Sequence, residues 1–281
     1  VRTDVLGVGF DDVTMDEAVG RAMEMIAGRT GAYVVTPNPE IVWLCRSNSS
    51  LLESVCGAEL VLADGVGITL GAKMLGRPLK TRLPGIDFAT CLMRKLSLNG
   101  TETDLNDTGT GLNGAAIGPG EAERGRNGTG MNLETTGKGR DGYSIFLYGA
   151  KPGVAERAGL VLEKNYPSLR IVGAMDGYGD EGLVRAAILE AEPDLLLVCL
   201  GAPKQELWMA AYAGRLPVGL MIGLGGALDV FAGEVQRAPE RWRRLGLEWL
   251  YRLCKEPRRA RRMLRLPLFL LAVVGQRLRG K

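Results

Sequence analysis

The chain has 281 residues, 46% hydrophobic and 24% charged, which makes it globular, with enough apolar material for one large domain or two small ones. It has no histidine, which excludes Ser-His-Asp and Cys-His catalysis and every His-ligated metal site, leaving Asp, Glu, Lys, Tyr or Arg for proton and charge work. The net charge of +3 hides a split: from Arg237 onward fourteen Lys/Arg face three Asp/Glu, so the body is −8 and the tail +11, pointing to an anionic partner for the tail, whether nucleic acid, phospholipid or a phosphorylated substrate.

The N-terminal VLGVGFDD predicts a strand or hairpin, without the apolar run and cleavage site of a secretion signal. Thr14, with Asp16 and Glu17, starts a helix. AYVVT (32–36) reads as a buried strand broken by Pro37-Asn38-Pro39, with Asn38 as candidate N-cap of the helix EIVWLCRSN. AELVLAD (58–64) reads as a second strand, closed by Gly65 before the helical GITLGAKML. Residues 97–142 break this rhythm. Gly, Asn and Thr fill 24 of the 46 positions and no aromatic occurs, so a flexible insertion is expected there. From YSIFLYG (143–149) strand and helix alternate again through LRIVGAM, EGLVRAAILEA, DLLLVCL and GLMIGLG. The expected fold is α/β, a doubly wound, largely parallel sheet flanked by helices, with a core over 1–96 and 143–236. The five cysteines form no C-x-x-C pair and several lie in apolar runs, which suits a reducing cytoplasm.

Residues 237–281 form the expected basic helical appendage. Trp242, Leu245, Trp249, Leu250 and Leu253 share one helix face, a second helix is expected after Pro257, and the apolar stretch 266–275 supplies about half of the roughly 20 residues needed to span a bilayer. Such a segment suits a membrane interface. On an uninterrupted helix Arg252, Arg259 and Arg262 share one side, suited to phosphate; the alternative is a solvated basic face.

Parallel α/β sheets bind ligands outside the carboxyl ends of their strands. Asp64, just past a strand, is a candidate base; its alternative is a helix N-cap. Thr36 and Asn38 suit a sugar or a uracil, with Asn38 equally readable as a cap. The Gly149–Gly153 turn could hold a phosphate with Asp176 near a ribose, or be no more than a tight βα turn. Gln205 and Glu206 follow a strand and a Gly-Ala-Pro turn, where polar groups usually face solvent or ligand. No D-x-D occurs, so a cation bridging carboxylates to a diphosphate has no obvious seat and arginine is left to meet that charge.

TPNPEIV, AELVLADGVGI, LPGIDF, FLYGAKPGVAE, LGAPKQELWM and the block from Gly223 to Arg262 together resemble the WecG/TagA/CpsF family of bacterial glycosyltransferases, over the whole chain except 97–142. The resemblance implies an inverting enzyme that needs no metal or other cofactor. Its donor would be a UDP-sugar, commonly of N-acetylmannosamine, and its acceptor an undecaprenyl-diphosphate-linked sugar at the inner face of the cytoplasmic membrane. It implies Asp64 as general base, Thr36 and Asn38 in the active site, Arg82 and Gln205 on donor or acceptor, and Arg252, Arg259 and Arg262 on the diphosphate. It also implies peripheral attachment to an anionic membrane surface, in polysaccharide or teichoic-acid-type synthesis. A different UDP-hexose donor stays open, as does a homo-oligomer. A soluble nucleotide-binding oxidoreductase leaves the tail unexplained and lacks the full glycine fingerprint. Nucleic acid is not an expected partner, because a duplex surface would strand the large apolar groups between the arginines.

Overall fold

Leu6 and Gly7, at φ 56° and 88°, turn the chain between β1 (Arg2–Val5) and β2 (Val8–Asp11), an antiparallel hairpin. The computed structural model describes residues 2–107, 142–255 and 265–279; residues 108–141 of the expected insertion, and Arg259 and Arg262, lie outside these. Helix α1 (Met15–Ala27) opens on a capping box: Thr14 Oγ1 accepts from the Glu17 amide and Glu17 Oε2 accepts from the Thr14 amide. The chain then alternates through β3 (Ala32–Val35), α2 (Pro39–Cys45), α3 (Ser49–Cys56), β4 (Leu60–Val61), α4 (Val66–Met74) and α5 (Gly85–Asp107). Residues 97–107 of the expected insertion therefore continue a helix.

After the insertion come β5 (Tyr143–Gly149), α6 (Val154–Asn165), β6 (Leu169–Met175), α7 (Glu181–Ala191), β7 (Leu195–Cys199), α8 (Lys204–Tyr212) and β8 (Leu220–Gly223). Strands β3 to β8 form one parallel sheet in the order β4-β3-β8-β7-β5-β6. Burial follows the two-residue period of a strand. Val34, Leu195, Leu197 and Ile222 pack on one face with α1, α5 and α6, while Val35, Leu196, Val198 and Met221 pack on the other with α2, α3 and α8. With both faces covered, the central strands read as continuous apolar runs. Cys45 and Cys199 belong to this packing, and burial pushes both thiols up to about 12.

Beyond β8 lie α9 (Ala227–Phe231), α10 (Glu240–Arg244), α11 (Glu248–Lys255) and α12 (Arg265–Arg279). The expected continuous helix face from Trp242 to Leu253 is broken between α10 and α11, where Gly246 takes φ 71°. Leu245, at that break, is 71% exposed and leaves the face it was expected to share. Helix α12 docks on α2 and α4 through the fully buried Phe269 and Val273. Gly71 of α4 faces them, with the Phe269 ring and Val273 at van der Waals distance from the position of a Cβ there (3.4 Å). Gln276 and Arg277 anchor the far end, on Asp4, the Leu6 amide and the Met74 carbonyl. The opposite side of α12 leaves Leu268, Leu271, Val274 and Leu278 exposed. No helix among the described residues is long and apolar enough to cross a membrane.

Candidate active site

The carboxyl ends of β4, β3 and β8 stand side by side and open into a cleft of about 230 Å³. Thr36, directly after β3, is nearly buried, and its Oγ1 donates to the Gly223 carbonyl at the end of β8 (3.2 Å), tying the two strand ends together. The amino end of α5 comes close because residue 85 is glycine: a Cβ there would lie 2.8 Å from Thr36 Oγ1. Asn38 is the N-cap of α2, its Oδ1 accepting from the amides of Glu40 (2.9 Å) and Ile41 (3.1 Å). The cap reading therefore holds, and because Asn38 also lines the cleft with its Oδ1 occupied, its Nδ2 is the group left to face the cleft.

Asp64 lies half-buried in the cleft, past the end of β4, with its amide donating to the Pro37 carbonyl (3.3 Å). It is not the cap of α4. Gly65 holds that position at φ 90°, and no side chain caps the first turn. Arg82 also lines the cleft, and its Nη2 donates to the Arg243 carbonyl (2.9 Å), which joins the core to α10.

The C-terminal helices close the cleft. Glu248 and Trp249 of α11 and Leu266 of α12 are among its lining. A Cβ at Gly67 would sit 2.5 Å from Pro39 Cγ and 2.9 Å from Leu266 Cδ1, so glycine there lets α2, α4 and α12 meet. Arg265 pairs with Glu40, another cleft residue, at 3.3 Å. Arg252 lies on α11.

Sequence reasoning missed Arg237. Its Nη1 is 2.6 Å from Asp87 Oδ1 in the first turn of α5, and its Nε is 3.7 Å from Glu248 Oε1. Burial would lower its pKa, but the Asp87 hydrogen bond and the charges of Asp87, Glu248 and Asp64 outweigh that and hold it above the usual arginine value. The available signal was charge: Arg237 opens the basic tail, and both paired carboxylates stand in first turns of helices.

Gln205 departs from its expected place on the ligand. It is 4% exposed, is not among the residues that line the cleft, and donates through Nε2 to Glu206 Oε1 (2.8 Å), while its Oε1 accepts from the Gly225 amide (2.9 Å). The first turn of α8 directs both side chains inward, and burial raises the Glu206 pKa above the usual carboxylate value. At the other end of the sheet the tight-turn alternative holds for Gly149. A Cβ there would lie 2.3 Å from the Cys199 carbonyl, so strand packing already requires glycine. Asp176 Oδ1 accepts from the amides of Tyr178 and Gly179, closing its own turn.

Residues 3–105 and 131–281 match the family described as "Glycosyl transferase WecG/TagA/CpsF family". The chain belongs to this family. The internal stretch of the glycosyltransferase left unmatched, 106–130, falls inside the expected insertion. Its relatives include a protein of Bacillus spizizenii, 31% identical over 245 residues, 87% of this chain and 79% of the relative. A Bacillus subtilis protein is 31% identical over 249 residues, 88% of this chain and 81% of the relative. A Staphylococcus aureus protein is 28% identical over 277 residues, 97% of this chain and 92% of the relative. All three are named N-acetylglucosaminyldiphosphoundecaprenol N-acetyl-beta-D-mannosaminyltransferase.

Proposed function

We propose that this glycosyltransferase moves N-acetylmannosamine, with inversion, from a UDP-linked donor to N-acetylglucosaminyl-diphospho-undecaprenol at the inner face of the cytoplasmic membrane. The observation that carries the reading is the position of Asp64, in a cleft at the carboxyl end of β4 that is closed by helices of the basic tail. The names of the relatives support the sugar and the acceptor.

In this reading the Asp64 carboxylate takes the proton of the acceptor hydroxyl as that oxygen bonds to the anomeric carbon from the face opposite UDP. The bond from the anomeric carbon to the diphosphate oxygen breaks, and UDP leaves with the electron pair. Arg82 and the tail arginines Arg252, Arg259 and Arg262 meet the charge of the diphosphates, a task for which the planar guanidinium fork is well shaped. Asn38 Nδ2 and the Thr36 hydroxyl oxygen hold polar groups of the sugars. The acceptor is lipid-borne, so the enzyme must visit a membrane. The exposed Leu268, Leu271 and Leu278 of α12, beside Arg277 and Arg279, supply an apolar and basic face for an anionic lipid interface.

The test is UDP release across a panel of UDP-sugars, with a short-chain polyprenyl-diphosphate N-acetylglucosamine as acceptor. Acceptor-dependent release from UDP-N-acetylmannosamine is expected. Release only from another UDP-hexose replaces the donor. No turnover of any UDP-sugar, together with tight NAD(P)H binding, overturns the reading in favour of an oxidoreductase.

A further inference from the structure

The PKQE segment at the start of α8 carries two polar side chains that point into the protein rather than into the cleft. Gln205 and Glu206 are 4% and 1% exposed. Among the described residues Glu206 Oε2 has no hydrogen-bond partner, an arrangement that costs stability wherever it is buried. Apolar residues would fill the same space more cheaply, so the pair calls for an explanation beyond packing.

The hydrogen bonds supply one. Glu206 Oε1 accepts from Gln205 Nε2 (2.8 Å), which fixes the rotation of the amide and turns Gln205 Oε1 toward the Gly225 amide (2.9 Å). Gly225, at φ 56°, belongs to the Gly-Leu-Gly-Gly loop that leads from β8 into α9, and its neighbours Leu224 and Gly226 line the cleft. The loop rests on this amide: a Cβ at Gly223 would lie 3.2 Å from Gln205 Nε2 and 2.6 Å from Met209 Cε. Its other end is held from the cleft side, where Thr36 Oγ1 donates to the Gly223 carbonyl. We propose that Gln205 and Glu206 are positioning residues, a buried relay that sets the glycine-rich floor against which the donor sugar nucleotide is held.

The ligand in this statement rests on the glycosyltransfer reading; the relay and the loop do not. Burial favours the protonated form of Glu206, whose carbonyl oxygen still accepts from Gln205 without needing a counter-charge. What the relay requires of residue 206 is therefore a carbonyl acceptor, and glutamine supplies the same one. A floor displaced by a fraction of an ångström loses contacts made with the reacting sugar, an effect that reaches turnover as well as binding.

The experiment is backbone amide exchange at Gly225 in the full chain, paired with donor kinetics. In Glu206→Leu and Gln205→Leu, exchange at Gly225 should accelerate at least roughly tenfold, and kcat/KM for the UDP-sugar should fall roughly tenfold with KM raised, the scale expected for one lost hydrogen bond. Glu206→Gln should restore both the slow exchange and most of the turnover that Glu206→Leu loses. Should the leucine variants fail to fold, Gln205→Met, close in shape but unable to accept from Gly225, carries the same expectation. Unchanged Gly225 exchange in a folded variant that lacks the relay overturns the inference. So does a Glu206→Gln protein as impaired as Glu206→Leu. If the unaltered protein turns over no UDP-sugar, the functional reading fails while the exchange result still decides the relay.

Discussion

Arg237 Nη1 lies 2.6 Å from Asp87 Oδ1, and through this contact the first residue of the basic tail grips the amino end of α5 beside the cleft. Its Nε faces Glu248 Oε1 at 3.7 Å, so one guanidinium stands between two elements that wall the site. Among the described residues its Nε and Nη2 are buried without hydrogen-bond partners, and the group is held by charge as much as by geometry. Arg237 thus links the amino end of α5 to the first turn of α11.

Arg237→Ala removes the guanidinium that pairs with Asp87 and that the charges of Glu248 and Asp64 also favour. The variant should lose about 1.5–3 kcal/mol of local stability, the range for a hydrogen bond to a charged group. Amide exchange should accelerate across 240–255 while the strands stay protected. Arg237→Lys should not restore protection, because a compact ammonium does not span both carboxylates. Unchanged exchange over 240–255 would remove the clasp from the account.

Helix α12 separates packing from membrane contact on its two sides. Phe269→Ala removes a fully buried ring and should lower unfolding stability by about 3–5 kcal/mol. Leu271→Glu, at a position 68% exposed, should leave the unfolding midpoint nearly unchanged while weakening co-sedimentation with anionic vesicles. Equal vesicle binding by Leu271→Glu and the unaltered protein would place the lipid-contacting surface elsewhere.

Much of this arrangement is legible in the sequence because it is local. The Thr14 capping box, the Asn38 cap and the strand that delivers Asp64 are each encoded within a few residues. Relations between distant segments are not. The apolar spacing from Trp242 to Leu253 runs unbroken across Gly246, yet the helix breaks there, at a glycine with φ 71° that packs against the distant Val66, where a Cβ would come within 3.0 Å of the valine Cβ. Gln205 follows a strand and a turn just as a ligand-contacting residue would. Its burial depends on how the first turn of α8 meets the loop after β8, which nothing near residue 205 encodes. The partners of Arg237 are 150 and 11 residues away, so charge alone could not select them.

Glu206 gives the protein a pH signature. Burial raises its pKa from 4.5, so the folded state binds this proton more tightly than the unfolded chain does. Its contribution to stability is fully present below pH 4.5 and declines as pH rises through the raised folded value. Glu206→Gln lacks that proton. Its stability relative to the unaltered protein should therefore increase from pH 4.5 upward and level off above the folded pKa. Urea unfolding at intervals from pH 4 to about 8 measures this, and a stability difference constant over that range would contradict it.

The most direct test of the central claim is turnover by Asp64→Asn with UDP-N-acetylmannosamine and the polyprenyl-diphosphate acceptor, measured beside the dissociation constant for UDP. If Asp64 takes the acceptor proton, kcat should fall by about 10²–10⁴-fold while UDP affinity and the unfolding midpoint change little. An asparagine variant that keeps most of its turnover would contradict the account.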